Sequence, residues 1–404
     1  MPTARQAFVP RPVVGRSPAQ LRAYIEGPDA ISKRPFMQEL IESLTRPLDE
    51  KDLRGQSFER SAPRLLAGDT EENLQQLFID NKWTDFLPVT LPTEERVARM
   101  LQGTRRDPAE VVGRLAPAAF REAWEFTVEK VAVNAVMAGC RPEYLPVVLA
   151  LAASGQTARS SSTTSLAVIA LVNGPIRDEI GMDAGIGVLG PFNHANATIG
   201  RAYNLLSQNL QGGSAPGESY MGSLGNWYNY SACFPEAEER SPWRPFHVDK
   251  GFNAQDSVAS VFFGGRYTLA GFGPRETWRQ EFRRALAACE QHLAPLLVMD
   301  PIAARGFVEH GFDSREKLAR WLADNARLTA REYWDNQWVQ TLVRPLAVAG
   351  VEPYASRYKA QPEEVIGIFE PGEISIVVAG GETQGAWRMF GGRYTKSVPI
   401  DPWR

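Results

Sequence analysis

The pattern of apolar and polar positions predicts a helix-rich chain with a few short strands. Val128, Val131, Ala132, Ala135 and Val136 recur with the i, i+3, i+4 spacing of a buried helical face. The same criterion predicts helices at 35–45, 71–81, 94–102, 108–115, 119–138, 142–154, 276–293, 300–308, 314–326 and 328–335. A further helix is predicted to follow the segment 181–196 and to end at about residue 209. Apolar runs at 166–172, 258–263 and 374–379 predict short buried strands, the last being the final strand. The predicted class is mixed α/β, of the α+β type.

The N-terminal part differs in pattern from the rest of the chain. The first twenty residues contain four prolines and three arginines, which predicts an extended arm. A proline-containing hinge begins at Trp83, and Thr93 is a helix N-cap that opens the next helix. We therefore expect two domains, 1–82 with the arm and short helices, and 83–404 as the main α/β domain. Such arms either wrap a neighbouring subunit or stay mobile, and we expect a homo-oligomer, in the simplest case a homodimer.

Composition narrows the class of protein. With 44% apolar residues in 404 and a net charge of −3, the chain can form a large core and has no excess of basic residues for nucleic acid. Its three cysteines, Cys140, Cys233 and Cys289, are too few and too scattered for a disulfide framework, so a reduced, cytoplasmic setting is expected. No run reaches the roughly 18 apolar residues of a membrane span, so a soluble protein without a membrane partner is expected.

One helix and the break after it carry the first candidate site. Glu129, Lys130 and Asn134 precede Gly139, and Cys140 and Arg141 follow it. Glu129 and Cys140 lie eleven positions apart, so a helix projects them to nearly the same side. We take Glu129, Lys130 and Cys140 as catalytic candidates, with Asn134 and Arg141 as substrate contacts. The alternatives are a surface ion pair and a buried small hydrophobe, and Cys140 lies between two opposed helix dipoles.

A glycine-rich approach to a helix at 190–201 carries the second candidate site. The start of a helix presents free N–H groups and the positive end of the dipole to an anion, here a carboxylate or phosphate. An aromatic loop at 220–243 is expected to close over it. The alternative is a capped helix that satisfies its own backbone. The candidate substrate contacts are Asn193, His194, Asn196, Thr198 and Arg201, with Trp227 and Tyr228 from the loop.

No organic cofactor is predicted, because no dinucleotide or nucleophile-elbow motif is present. A divalent metal is a second option. His194 and His247, with Asp249 or Cys233, could converge on an ion, although no His-x-x-x-His or Cys-x-x-Cys spacing supports this.

Several long motifs resemble one bacterial family. They are the segments beginning at Trp83, Pro92 and Glu129, Val172-Asn-Gly-Pro-Ile, Gly190-Pro, Asn196-Ala-Thr-Ile-Gly-Arg-Ala, and Ile376-Val-Val-Ala-Gly-Gly. Over about residues 83–385 the chain resembles the large domain associated with UGSC-type (seleno)proteins. That name implies a Cys/Sec-Gly-Ser-Cys redox motif, which this chain lacks. It also has Phe86 where the resemblance implies glycine, and Phe192-Asn193-His194 where it implies a shorter stretch.

Three functions are consistent with these patterns. The first is a small-molecule enzyme of lyase or hydrolase type, which acts on an anionic substrate by acid/base or thiol chemistry. The second is a metal-dependent enzyme that uses His194 and His247. The third is a non-catalytic subunit whose aromatic loop and arm form an interface.

Overall fold

The chain forms two units in this computed structural model, Met1–Gly68 and Asp69–Arg404. The structure describes residues 5–11, 13, 15–54, 63–115, 124–158, 166–211, 222, 225, 233–274 and 276–404. The helix at Glu71–Asp80 belongs to the second unit, whereas the division predicted from sequence groups it with the arm.

The helices of the first unit are α1 (Pro18–Glu26), α2 (Phe36–Thr45) and α3 (Glu50–Arg54). Those of the second unit are α4 (Glu71–Asp80), α5 (Glu94–Leu101), α6 (Val128–Ala138), α7 (Leu145–Ala153), α8 (Ile176–Glu179), α9 (His194–Leu210), α10 (Phe246–Asp249), α11 (Trp278–Ala288), α12 (Pro301–Glu309), α13 (Arg315–Asn325), α14 (Ala330–Asp335), α15 (Arg344–Val348) and α16 (Tyr354–Lys359). The strands are β1 (Val111–Arg114), β2 (Glu125–Thr127), β3 (Ala167–Asn173), β4 (Cys233–Pro235), β5 (Val258–Phe272), β6 (Pro295–Met299), β7 (Arg327–Thr329), β8 (Val365–Gly367), β9 (Ser375–Val378) and β10 (Ala386–Pro399).

The first unit has little core of its own. Ser17 caps α1 and forms a capping box with Gln20. The backbone N–H of Ala30 donates to the carbonyl of Phe8 over 2.7 Å, so the beginning of the chain lies along the turn after α1. Asp29 is the only buried residue among those described in this unit. The predicted extended arm is therefore not confirmed.

Six strands form the central sheet of the second unit. Their order is β4-β3-β5-β10-β6-β9, with parallel pairs at the two edges (β3–β4 and β6–β9) and antiparallel pairs between them. The backbone N–H of Ala237, just after β4, donates to the carbonyl of Val378 in β9 over 2.8 Å. The sheet is thus curled until its two edges meet.

Strand alternation gives the curled sheet an inner and an outer face. The inner face carries an apolar cluster that includes Ile169, Leu171, Phe234, Phe262, Leu296, Val298, Val377 and Phe390. Outward residues of β3 join the core that contains α6, α7 and α9, while outward residues of β6 and β9 join the core that contains α11 to α14. Helices therefore cover the sheet on two sides, and the predicted mixed α/β class is confirmed.

Two predicted helices are wrong in part. Residues 108–115 form a turn and then β1, because the Asp107 carboxylate accepts from the N–H of Ala109 over 2.8 Å and Val111 and Val112 favour a strand. The helix predicted at 119–138 begins only at Val128, because 125–127 pairs with β1 as β2. Residues 119–123 lie outside the described residues.

The sheet is more extensive than predicted. β6 was not expected, β5 continues to residue 272 instead of 263, and the strand at 374–379 is not the last, because β10 follows. Three register shifts interrupt the pairing of β10 with β5, so its side chains lose the two-residue period. Gly264 and Gly265, with φ of +131° and +54°, interrupt β5 at the point where the prediction stopped.

Among the described residues, no helix is long and apolar enough to cross a membrane.

Phe86 gives a test of local strain. Its φ of +66° lies in the left-handed region, which costs an L-residue about 1–2 kcal/mol, and its side chain is 52% exposed. Phe86→Gly should therefore raise the free energy of unfolding by about 1 kcal/mol, measured by urea denaturation. Phe192→Gly is the control, since Phe192 is more exposed but has no positive φ. Equal changes in both variants would contradict the role of strain.

Candidate functional site

The break after α6 is a glycine-ended helix terminus. Gly139 has a φ of +84°, the N–H of Cys140 donates to the carbonyl of Ala135, and the N–H of Gly139 donates to that of Val136, each over 2.9 Å. This is the Schellman arrangement, which requires glycine at its left-handed position. The chain then turns through a 3₁₀ turn at Pro142–Tyr144 into α7.

The start of α9 is fixed by side chains on its approach loop. The Asn193 side chain caps the helix by accepting from the N–H of Asn196 over 3.0 Å, and it donates to the carbonyl of Gly181 over 2.9 Å. The buried Asn196 side chain bonds both backbone groups of Asp183, over 2.8 and 3.3 Å. Asn193 and Asn196 therefore hold the loop, and their polar atoms are already used.

The end of α6 and the start of α9 meet in a polar cluster of Cys140, Tyr144, His194 and Thr198, called here the α6–α9 cluster. The Tyr144 hydroxyl lies 3.4 Å from Nδ1 of His194, and the two rings are 5.8 Å apart. The hydroxyl of Thr198 donates to the carbonyl of His194 over 2.7 Å and lies beside the Cys140 thiol. Tyr144 is buried, whereas His194 is exposed.

The thiol of Cys140 is a poor nucleophile in this setting. Cys140 is half-buried, and loss of hydration raises the pKa of Cys140 to about 12, although the neighbouring Thr198 hydroxyl and the charge of Arg201 act in the opposite direction. A thiol with this pKa is almost wholly protonated at neutral pH, and the thiolate is the reactive form. Burial also raises the pKa of Cys233, and the proximity of Cys140 adds to this effect. Both cysteines are free.

Arg201 is held by a carboxylate that sequence reasoning did not select. Its guanidinium donates to both oxygens of Asp85, over 2.8 and 2.9 Å, and to the carbonyl of Pro88 over 2.8 Å. Burial opposes ionisation of Asp85, but the hydrogen bonds and charge of Arg201 outweigh it and lower the pKa of Asp85. Arg201 therefore ties the segment before α5 to α9, and its charge is already balanced.

The other candidates on α6 lie away from the α6–α9 cluster. Glu129 and Lys130 are in the first turn of α6, and the helix rises about 14 Å along its axis from Glu129 to Ala138, before the break that leads to Cys140. Asn134 donates to the carbonyl of Lys130 over 2.9 Å and accepts from Asn209 over 2.8 Å, so it joins α6 to α9. Arg141 is exposed beside Cys140.

The proposed metal ligands have other partners. His247 is buried, with Nε2 3.0 Å from the carbonyl oxygen of Asn253. Asp249 pairs with Arg315 over 2.8 Å and with Arg244 over 2.9 Å. Among the residues that the structure describes, no group of three or more His, Cys, Asp or Glu side chains is arranged to hold a metal ion. Trp227 and Tyr228 lie outside the described residues.

Sequence reasoning missed Tyr144 and Asp85. Tyr144 had a local signal, because it lies four residues after Cys140, at the end of the 3₁₀ turn Pro142–Tyr144 that keeps it beside the break. Asp85 had none, since its partner Arg201 is 116 residues away. Comparisons with models of protein families, with curated proteins and with solved structures find no match to this chain. The resemblance to UGSC-type proteins stays a prediction.

Removal of the Asp85 carboxylate should destabilise the fold. Asp85 and Arg201 side chains are 2% and 19% exposed, so Asp85→Asn should lower the free energy of unfolding by about 2–3 kcal/mol at pH 7. The pKa of Asp85 in the folded protein is lower than its ordinary value of about 3.9. The stability that the carboxylate contributes is therefore fully present above about pH 3.9 and is lost as the pH falls through the folded pKa. Chemical denaturation at pH 7 and pH 3 measures the loss.

Asp313→Asn is the matched control for the Asp85 experiment. Asp313 pairs with Lys317 over 2.7 Å, but their side chains are 63% and 58% exposed. Its removal should change stability by less than about 1 kcal/mol. Similar losses in the two variants would show that Asp85–Arg201 is an ordinary surface pair.

Alkylation of Cys140 by iodoacetamide should be slow at neutral pH. With a pKa of about 12, its rate should rise about tenfold per pH unit without a plateau up to pH 10, followed by mass spectrometry of the Cys140 peptide. A free-cysteine peptide should reach its plateau above about pH 9. A plateau for Cys140 near neutral pH would restore it as a nucleophile.

Proposed function

We propose that this chain is an enzyme of lyase or hydrolase type that acts on a small anionic molecule, with His194 as its general acid or base. The observation that carries the proposal is the 3.4 Å contact between the buried Tyr144 hydroxyl and Nδ1 of the exposed His194. A general acid or base works best when a second group fixes its ring and leaves the other nitrogen towards the substrate. Tyr144 is suited to that positioning role.

Tyr144 supports either direction of proton transfer. Burial raises the pKa of Tyr144, so its phenol keeps the proton across the neutral range. If the phenol donates to Nδ1, Nε2 of His194 carries a proton for a leaving group. If Nδ1 donates to the phenol oxygen, Nε2 accepts a proton from substrate or water. The contact therefore serves an acid as well as a base.

The anionic class of substrate rests on what surrounds His194. His194 is the first residue of α9, a helix of 17 residues whose start carries the positive end of the dipole. The exposed Arg141 is a second positive group at Cys140, whereas Arg201 is neutralised by Asp85. Because the pKa of Cys140 is raised, we assign its thiol to the wall of the site, and acid/base chemistry is favoured over thiol chemistry.

A non-catalytic role in a homo-oligomer is the second candidate. In the described part of the first unit no apolar residue is buried, and on α2 Ile41 and Leu44 are 54% and 78% exposed. Exposed apolar residues on one helix favour contact with another protein surface, here a second copy of the chain. The three free cysteines support the proposal of a cytoplasmic setting.

The test is a screen of small carboxylates and phosphate esters for turnover, with wild type and variants in parallel. His194→Gln should lower kcat by about 10²–10⁴-fold, and Tyr144→Phe should lower it less while shifting its pH profile. Cys140→Ser should retain activity. Glu129→Gln is the control, since it changes a carboxylate in the first turn of α6, at the end of that helix away from the α6–α9 cluster.

Two results would overturn the proposed reaction. Turnover that survives His194→Gln would remove His194 from the chemistry, and turnover lost equally in Glu129→Gln would move the site to the other end of α6. Loss of self-association in Leu44→Ser, measured by analytical ultracentrifugation, together with no turnover in the screen, would favour the non-catalytic role.

A further inference from the structure

Lys250 lies on aromatic rings at one end of the curled sheet. It follows α10 directly, and its ammonium lies 4.4 Å from the ring centroid of Tyr394 and 5.0 Å from that of Phe246. These two rings and Phe262 form a cluster with centroids 5.5–5.8 Å apart, continuous with the inner apolar core. The amine is thus half-buried against apolar surface.

The charges near Lys250 do not neutralise it directly. Asp249 is the nearby carboxylate, and it is already paired with Arg315 and Arg244. Within the described ranges Lys250 forms no salt bridge of its own. Desolvation lowers the pKa of Lys250, Asp249 partly restores it, and the positive charge of Arg315 lowers it further. A larger fraction of the amine is therefore neutral, which is the nucleophilic form.

A chain of hydroxyl groups starts at the ring below this amine. The Tyr394 hydroxyl lies 2.9 Å from Oγ of Ser397, which lies 2.7 Å from Oγ of Ser260 on the neighbouring strand β5. Ser260 is fully buried. Because each hydroxyl both donates and accepts, the chain can hold the Tyr394 hydroxyl in place and spread the negative charge when Tyr394 gives up its proton.

The geometry points to a second reactive site, in which Lys250 condenses with the carbonyl group of a small aldehyde or 2-oxo acid to form an imine. The neutral nitrogen attacks the carbonyl carbon, and the C=O electron pair moves to oxygen. A proton transfer from nitrogen to oxygen gives the carbinolamine. Tyr394 then donates a proton to the departing hydroxyl, which leaves as water as the C=N bond forms, and the remaining proton of the nitrogen passes to the Tyr394 phenolate. No oxidant or reductant is needed, and no residue of the α6–α9 cluster takes part.

Reductive trapping in the full-length protein tests this inference. Glyoxylate, an anionic probe, and glycolaldehyde, an uncharged one, are each incubated with the protein and cyanoborohydride at pH 7, and modified lysines are found by peptide mass spectrometry. Lys250 should be modified faster than Lys317. Each unit by which the pKa of Lys250 is lowered raises the neutral fraction of its amine about tenfold, and the rate of trapping with it. Lys317 is the internal control, because it is 58% exposed and, among the residues that the structure describes, pairs with Asp313.

Two variants separate chemistry from structure. Lys250→Arg keeps a cation on the rings and should abolish the adduct at this peptide, while the other lysines react as before. Tyr394→Phe keeps the ring and removes the hydroxyl, so trapping at Lys250 should slow while the pH midpoint of its reaction stays unchanged. A wild-type protein in which Lys317 reacts as fast as Lys250, or in which Lys250 does not react, would overturn the inference without any variant.

Discussion

The antiparallel pairing of β5 with β10 is the interaction on which the rest of the second unit depends. It runs from Val258 opposite Pro399 to Phe272 opposite Ala386, and β3 joins on one side while β6 joins on the other. Residues 273–385 lie between the two strands, so the pairing closes a long loop at an entropic cost. The strands and helices of that loop return to the sheet as β6, β9 and the core of α11 to α14, and their apolar burial offsets the cost.

Curling of this sheet concentrates polar groups at one end of an apolar interior. Glu236, just after β4, is fully buried and ion-paired with Arg315, and its carboxylate also accepts from the amide of Asn173 over 2.6 Å and the N–H of Phe246 over 2.7 Å. Burial raises the pKa of Glu236 although Arg315 opposes this. A buried ion pair is stable only if its remaining hydrogen-bonding groups have partners. The hydrogen bond from the N–H of Phe246 to Glu236 holds the start of α10, and thereby Lys250, at the end of the sheet. The α6–α9 cluster therefore depends on helices packed outside the sheet, whereas the Lys250 site depends on the interior of the curled sheet.

Local signals predicted the helices well and the long strands poorly. α5 and α13 lie within one residue of their predicted bounds and have Thr93 and Ser314 as N-caps, so residues close in sequence suffice to define them. β10 could not be predicted in this way, because register shifts and outward charged residues hide its alternation. In the candidate site, Cys140, His194 and Thr198, which the sequence places at two helix ends, lie close together in the structure. Arg201 was assigned to substrate because its partner Asp85 is distant in sequence.

By itself the sequence determined the mixed α/β class, the break at Gly139 and the capped start of α9, since these follow from periodicity, glycine at positive φ and an Asn N-cap. Only the tertiary structure decided which charges remain available. It neutralised Arg201, partly desolvated Cys140 and brought Tyr144 to His194. The physical reason is that conformational preference acts over a few residues, whereas desolvation and ion pairing depend on groups brought together from distant parts of the chain.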